Sequence, residues 1–253
     1  MERIGIIAAL PQERDALLRF IEERERSVLG PFRCQRFRLL DRDCVLVTSG
    51  MGLKRAAQAA RTLIEVIRPQ LLVSVGVAGA VNADLEIGDV VASRSTGRLD
   101  LVSPGSFQPL AQLSEAAWQA AAQALQLRQA HLVSGTAVCT HGSQYVAPQP
   151  EQLTNPVLEM ETWGIAQVAA EQAMPLLSLR AISDGPRAPI PFYLEAVMDE
   201  EYNLRIGEII KTVLSHPRKL PQLVQMGRNT TKAAENAAIA LIAALSQTGP
   251  VIS

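Results

Sequence analysis

Short apolar runs alternate with longer stretches of helical periodicity along nearly the whole chain. "IGIIAAL" (4–10) reads as a buried strand, and a helix follows over about residues 12–23. Residues 33–40 and 44–48 are predicted to form a hairpin around "DRD", with polar residues alternating along its first strand. "LKRAAQAARTLIEVI" (53–67) has the repeat of an amphipathic helix and is stopped by Pro69, which cannot continue one. Strands are expected over 71–77, 89–92, 132–138 and 176–182, with helices over 113–127 and from about Glu161. Helical patterns near 202–214 and 230–245 close the chain, and "HPRKLPQL" (216–223) is the most loop-like late segment. Strands that are apolar throughout, rather than alternating, are those covered on both faces. The pattern therefore predicts a single α/β domain over residues 1–253, with a mixed, mostly parallel central sheet flanked by helices on both faces.

Composition narrows the classes. The 253 residues are 48% hydrophobic and 19% charged, which is enough to build a sizeable core and argues against disorder. A formal net charge of −1 offers no basic field for nucleic acid and no polybasic patch for a membrane. Cys34, Cys44 and Cys139 are too few and too dispersed for a disulfide framework or a zinc knuckle. His131, His141 and His216 lack metal-ligand spacing and a nearby acid in sequence, so no metal site is expected. The first apolar run is halted by Pro11, Gln12 and Glu13, too early for a signal peptide or a membrane span. A cytoplasmic protein without stable membrane insertion is the expectation.

Ligands of open α/β sheets bind outside the carboxyl ends of the strands, so what each strand delivers there matters. The first delivers Glu13, the strand at 44 delivers "SGMG" (49–52), and the strand at 71 delivers "GVAGA" (76–80). The strand at 132 runs on through "SGTAVCTHGS" (134–143), the segment 157–158 delivers Glu159, Met160 and Glu161, and the strand at 176 delivers Arg180, Ser183 and Asp184. Carboxylates and glycine turns thus recur at corresponding positions of several strands. Each also has an ordinary explanation. Acidic residues suit the first turn of a helix, and Asp184 could bond the backbone of its own "GP" turn. "GMGLKRA" lacks the later acidic residue of a dinucleotide fingerprint, so its glycines fit a tight turn and close backbone approach better. Ser49, Ser74 and Ser183 have no G-x-S-x-G context for a serine hydrolase.

Taken together, "IGIIAALPQE" (4–13), "SGMG", "SVGVAGAV" (74–81), "LEIGDVV" (85–91), "LEMETWGIAQV" (158–168) and "RAISD" (180–184) resemble the purine nucleoside phosphorylase and nucleosidase superfamily. Within it they are most similar to 5′-methylthioadenosine/S-adenosylhomocysteine nucleosidases. The motifs occur in that family's order over roughly residues 1–185. The resemblance implies hydrolysis of the N-glycosidic bond of a 5′-substituted adenine nucleoside. It implies no cofactor and no nucleic-acid partner, and a homo-oligomer, with a dimer favoured. By the same resemblance Asp184, Glu13, Glu161 and Arg180 are the catalytic residues. Asp184 protonates N7 of the leaving purine, Glu161 binds the ribose hydroxyls, and Glu13 with Arg180 positions and activates water. Met160 packs beneath the ribose, and Glu159 lies near the ribose and the water. Val77, Ala78, Gly79, Val138, Cys139 and Ser183 complete the substrate-binding set, to which the apolar stretch after Asp184 adds Phe192. The chemistry accounts for the residue types. Bond cleavage builds an oxocarbenium-like sugar and an anionic base, so one acid must hold a proton while other carboxylates stay charged.

Phosphorylases of this superfamily carry a glycine-Asp-Pro-x-Arg stretch after the first strand to bind phosphate. "ALPQERD" offers Glu13 there instead, and a carboxylate repels phosphate. Hydrolysis is therefore favoured over phosphorolysis. A nucleoside-binding protein without turnover is the non-enzymatic alternative, and the presence of all three catalytic carboxylates speaks against it. Several positions depart from the nucleosidase pattern. Val77 stands where Ser is usual, and Val138 and Cys139 replace the Phe-Ile pair that frames adenine. The segment after Asp184 and the closing "HPRKLPQLVQMGRNTTKAAENAAIAL" resemble hopanoid-associated phosphorylase-type members, which leaves the 5′ substituent open. The apolar stretch "APIPFYLEAVM" (188–198), with Phe192, Tyr193 and Leu194, is expected either to seal the core or to cover the 5′ side of the pocket.

Overall fold

The computed structural model describes residues 2–98, 107–139, 153–189 and 220–253. Strand β1 (Glu2–Ala8) is followed by helix α1 (Pro11–Leu18). Pro11 takes the first helical position, where its missing N–H would have had no partner in any case. The helix expected to reach residue 23 ends at Leu18, and Arg24–Leu29 forms strand β2. Its sequence "RERSVL" gives no apolar alternation because β2 is an edge strand with most of its side chains in water. β2, β3 (Phe32–Leu39) and β4 (Arg42–Thr48) form an antiparallel meander. Helix α2 (Leu53–Ile67) matches the predicted bounds residue for residue.

Strands β5 (Leu71–Ala80) and β6 (Val90–Arg98) run beyond their expected ends, since "GVAGA" continues to pair rather than turn. The short strand β7 (Gln108–Pro109) precedes helix α3 (Glu115–Gln126), whose first turn is capped by the Ser114 hydroxyl. Then come β8 (Leu132–Cys139), β9 (Pro156–Glu159), α4 (Thr162–Glu171), β10 (Leu176–Asp184) and the long helix α5 (Leu220–Leu245). The segment read as most loop-like enters α5 at Leu220. The helical pattern near 202–214 and Phe192 lie outside the described residues.

The sheet is mixed, as expected, with β4, β1, β5 and β10 as successive parallel neighbours. Antiparallel pairings lie in the β2–β3–β4 wing and at β10–β6, β6–β7 and β5–β9. The path β10–β6–β8–β9 returns to β5, so these five strands close into a circuit. β5 is the seam. Leu71–Ser74 pair with β1, Gly79 and Ala80 pair with β9, and β10 runs along its other edge.

Two helical layers cover the sheet. On one face α1, α3 and α5 pack Leu17, Ala121, Ala237 and Leu241 against Ile6, Val73 and Leu179. On the other, α2 and α4 pack Ala60, Leu63 and Ile165 against Ile7, Val47 and Leu72. Gly164 brings α4 against the backbone of Leu53, where a Cβ would overlap the carbonyl. Arg42, in the "DRD" of the predicted hairpin, is only 2% exposed. Its Nη1 donates to the carbonyls of Leu245 and Gln247 at 2.7 Å each, its Nη2 to that of Gly249, and its Nε to Glu2 at 3.0 Å. It therefore caps the carboxyl end of α5. No helix among the described residues is long and apolar enough to cross a membrane.

Candidate active site

The site is built where β1, β4, β5, β9 and β10 end. Glu13 sits in the first turn of α1, and its carboxylate reaches back over the strand ends. Oε2 accepts from the backbone N–H of Ala9 and of Leu10, both at 2.8 Å, and Oε1 accepts from Val77 N–H at 2.9 Å. Val77 thus contributes its backbone to Glu13, while its own side chain is half-buried. Burial pushes the Glu13 pKa up, against the pull of Arg180 and of these N–H groups.

Glu159 ends β9, and α4 starts at Thr162. Its Oε2 accepts from the N–H groups of Glu161 (3.0 Å) and Thr162 (2.8 Å), two donors that an α-helix leaves free at its start. The same oxygen accepts from the Thr162 hydroxyl at 2.9 Å and lies 2.9 Å from Arg180 Nη2. The other oxygen accepts from the Cys139 thiol, whose sulfur in turn accepts from Trp163 N–H at 3.2 Å. Burial first, and Glu159 next, hold the Cys139 pKa well above the usual thiol range, so it is the protonated donor. Its side chain is taken up by Glu159 and α4, and Val138 beside it is fully buried.

Glu161 stands at the N-cap position of α4, and its side chain accepts from Gly52 N–H at 3.0 Å, which is what the "SGMG" turn delivers. Gly52 has φ +98°, a conformation open to glycine. Glu161 Oε2 lies 3.6 Å from Arg180 Nη1. Its pKa is pushed up to about 7 by burial, with Arg180 opposing and Glu159 and Glu13 adding to the rise. Met160, between the two glutamates, is half-buried.

Arg180 is the hub, 1% exposed and paired in register with Gly76 of β5. A Cβ at position 76 would fall 2.7 Å from its Nη1 and would overlap Glu13 Oε1. Only glycine fits. Nη2 donates to Ser74 Oγ at 2.6 Å and to Thr162 Oγ1 at 3.0 Å. Asp184 ends β10 beyond a register shift and pairs with Gly79, where a Cβ would fall 2.7 Å from its Oδ1. Ser183 donates to Asp184 Oδ2 at 2.6 Å and approaches the carbonyl of the buried Ala78 at 3.4 Å. Burial raises the Asp184 pKa, with the Ser183 bond opposing. The two glycine clearances are three residues apart on β5, or about 10 Å along the strand.

The fold thus gathers Glu13, Glu159, Glu161 and Arg180 into one buried cluster, with Asp184 farther along the same seam. Sequence reasoning missed Ser74, Thr162 and Ser178, all 0% exposed. A signal was present, because Ser74 and Ser178 interrupt the apolar runs "LLVSVGV" and "LLSLRAI" two residues before Gly76 and Arg180. In the structure the two serines are cross-strand partners. It also missed Asp89 as a partner of His131, whose Nδ1 lies 3.2 Å from Asp89 Oδ1 because β6 and β8 are neighbours.

Residues 3–215 match the family model of the Phosphorylase superfamily, and the chain belongs to that family. It is 28% identical over 237 residues to the 5′-methylthioadenosine/S-adenosylhomocysteine nucleosidase of Geobacillus sp. (strain WCH70), covering 86% of this chain and 95% of that one. It is 26% identical over 222 residues to the enzyme of the same name from Glaesserella parasuis serovar 5, covering 82% and 91%. Among solved structures, the nucleosidase of that name from Colwellia psychrerythraea 34H in complex with adenine superposes with a TM-score of 0.70 at 20% identity, covering 99% of this chain and 96% of that one. Futalosine hydrolase of Helicobacter pylori strain 26695 gives 0.66 at 19% identity, with 96% of each chain covered.

Proposed function

We propose that the protein is a nucleosidase that hydrolyses the N-glycosidic bond of a 5′-substituted adenine nucleoside and releases adenine. The observation that carries this reading is the cluster of Glu13, Glu159 and Glu161 around Arg180, with the raised-pKa Asp184 along the same strand. The curated relatives, named as nucleosidases over most of their length, support it.

In this reading Asp184, whose pKa burial raises, gives a proton to N7 as the bond breaks, so that the base leaves neutral. Glu161 accepts from the ribose hydroxyls and faces the developing positive charge on the sugar. Glu13 takes the proton of the attacking water. Arg180, whose buried Nε has no hydrogen-bond partner among the described residues, steadies that water and the carboxylates around it. Glu159, with its oxygens already engaged by α4, Arg180 and Cys139, holds the arginine and the helix start rather than the sugar. This narrows the role first implied for it.

Water rather than phosphate is the nucleophile because the cluster sets three carboxylates against one guanidinium. A phosphate dianion entering there meets net repulsion at low dielectric. The test is adenine release from a panel of 5′-substituted adenosines in phosphate-free buffer. Free adenine and a reducing sugar are expected, with no ribose 1-phosphate when phosphate is added. Strict phosphate dependence would replace hydrolysis by phosphorolysis. The family resemblance also favours a homodimer in the cytoplasm, and sedimentation velocity reads the first of these directly.

A further inference from the structure

Arg180 Nη2 carries two hydrogens, and both are committed, one to Ser74 Oγ at 2.6 Å and one to Thr162 Oγ1 at 3.0 Å. Glu159 Oε2 lies 2.9 Å from the same nitrogen, yet no third hydrogen is left for it. The Thr162 hydroxyl fills that gap, 2.9 Å from the same carboxylate oxygen. An arginine has no acceptor and an ionised carboxylate has no donor. The hydroxyl therefore has one orientation, accepting from Arg180 and donating to Glu159. Ser74 and Ser178 approach the same oxygen at 3.3 and 3.4 Å, where its second lone pair can receive one of them. The three hydroxyls come from β5, α4 and β10 and meet at the Thr162 oxygen, and two of them, Ser74 and Thr162, receive both hydrogens of Arg180 Nη2.

From this geometry we propose that Thr162 is a positioning residue. Its hydroxyl couples Arg180 to Glu159 and, with Ser74, sets the rotation of the guanidinium so that Nη1 faces Glu161 and Glu13. Nη1 and Glu13 Oε1 flank the same point above Gly76, and Nη1 lies 3.6 Å from Glu161 Oε2. If the Thr162 hydroxyl is removed, the hydrogen it received turns to Glu159 directly. The planar guanidinium then tilts as one body, and Nη1 moves off Glu161. The charged groups facing Glu161 are Arg180, Glu159 and Glu13, so weakening the one cation leaves the two like charges less opposed. The catalytic consequence rests on the nucleosidase reading. The geometric one does not.

The test compares Thr162→Val, which replaces the hydroxyl by a methyl of similar size, with Thr162→Ser, which keeps it. In Thr162→Val kcat should fall about 10- to 100-fold with KM changed less than about threefold, since the groups are present but misaimed. The acid limb of its kcat profile should move to higher pH. Thr162→Ser should stay within about threefold of wild type and keep the wild-type limb. Wild-type kcat and profile in Thr162→Val, or an equal loss in both variants, overturns the proposal. Wild type that releases no purine from any nucleoside overturns the reading of the site instead. The coupling of Arg180 to Glu159 through Thr162 is then decided by a ¹³C-carboxyl titration of glutamate-labelled protein. In Thr162→Val the titration of Glu161 should move up by about half to one unit, and an unmoved titration overturns that coupling. Should Thr162→Val not fold, Ser74→Ala, which removes the other Nη2 acceptor, takes its place in the same titration.

Discussion

Glu161 is held by opposing forces. Gly52 N–H and Arg180 favour its charge, while burial and two neighbouring glutamates disfavour it more, so its pKa stands near 7. Folding raises this pKa above its unfolded value, which fixes the sign of the pH dependence. The stability that Glu161 contributes is complete below pH ~4.5 and is lost as pH rises through about 7. Denaturant unfolding should therefore show the protein ~3 kcal/mol less stable at pH 8 than at pH 5 from this group, shared with the carboxylates coupled to it. Glu161→Gln should flatten most of that slope, and an unchanged slope would place the titration elsewhere. Asp184→Asn addresses the acid on the base side. An amide can still hydrogen-bond a purine but has no proton to give, so turnover should fall on the order of 10² to 10⁴ while nucleoside binding stays measurable by calorimetry. Near-normal adenine release by that variant would remove Asp184 from the role of acid.

Among the described elements α5 is the longest, and its carboxyl end is finished by a residue far away in sequence. Arg42, with a side chain 3% exposed, gathers carbonyls that the last turn of a helix cannot satisfy by itself. Arg42→Met fills similar space but leaves those acceptors buried without a donor. A loss of about 3 kcal/mol in chemical unfolding is expected, and a loss under 1 kcal/mol would show the carbonyls finding other partners. None of this was readable in "DRD", because the partner that buries Arg42 comes from the other end of the chain. What was readable followed from periodicity. α2 was placed to the residue because its apolar stripe and Pro69 are local signals. β2 escaped because an edge strand needs no apolar alternation, and the ends of β5 and β6 were set short because pairing carries small residues such as Gly79 on into the sheet. The carboxylates of the site were legible as strand-end residues. The hydroxyls under Arg180 became meaningful only once β5, β10 and α4 met.

For the whole molecule, β5 is the strand on which everything else depends. It is bonded along both edges, to β1 and then β9 on one side and to β10 on the other. Opening it would disrupt the closed circuit and the open wing together. Amides of residues 72–75 should therefore exchange only through global unfolding, while those of β2, which among the described residues pairs with β3 alone, exchange through local opening at much lower free energy. Residue-resolved hydrogen exchange decides this, and early exchange in β5 would mean that wing and circuit separate before the molecule unfolds.

The clearance at Gly76 also constrains how this lineage can have changed. The space that a side chain would take there is filled by Glu13 and Arg180, which belong to other elements. Substitutions at position 76 are thus conditional on substitutions elsewhere, and no single step away from glycine is neutral while both neighbours remain. The dependence can be measured as epistasis. Gly76→Ala alone should lower folded yield and stability, and Glu13→Ala alone should lower turnover. The double variant should be more stable than the sum of the two single effects by roughly 1 kcal/mol or more, because the second change vacates the volume that the first one needs. Strict additivity would show that the strand simply shifts to make room, leaving position 76 free to drift.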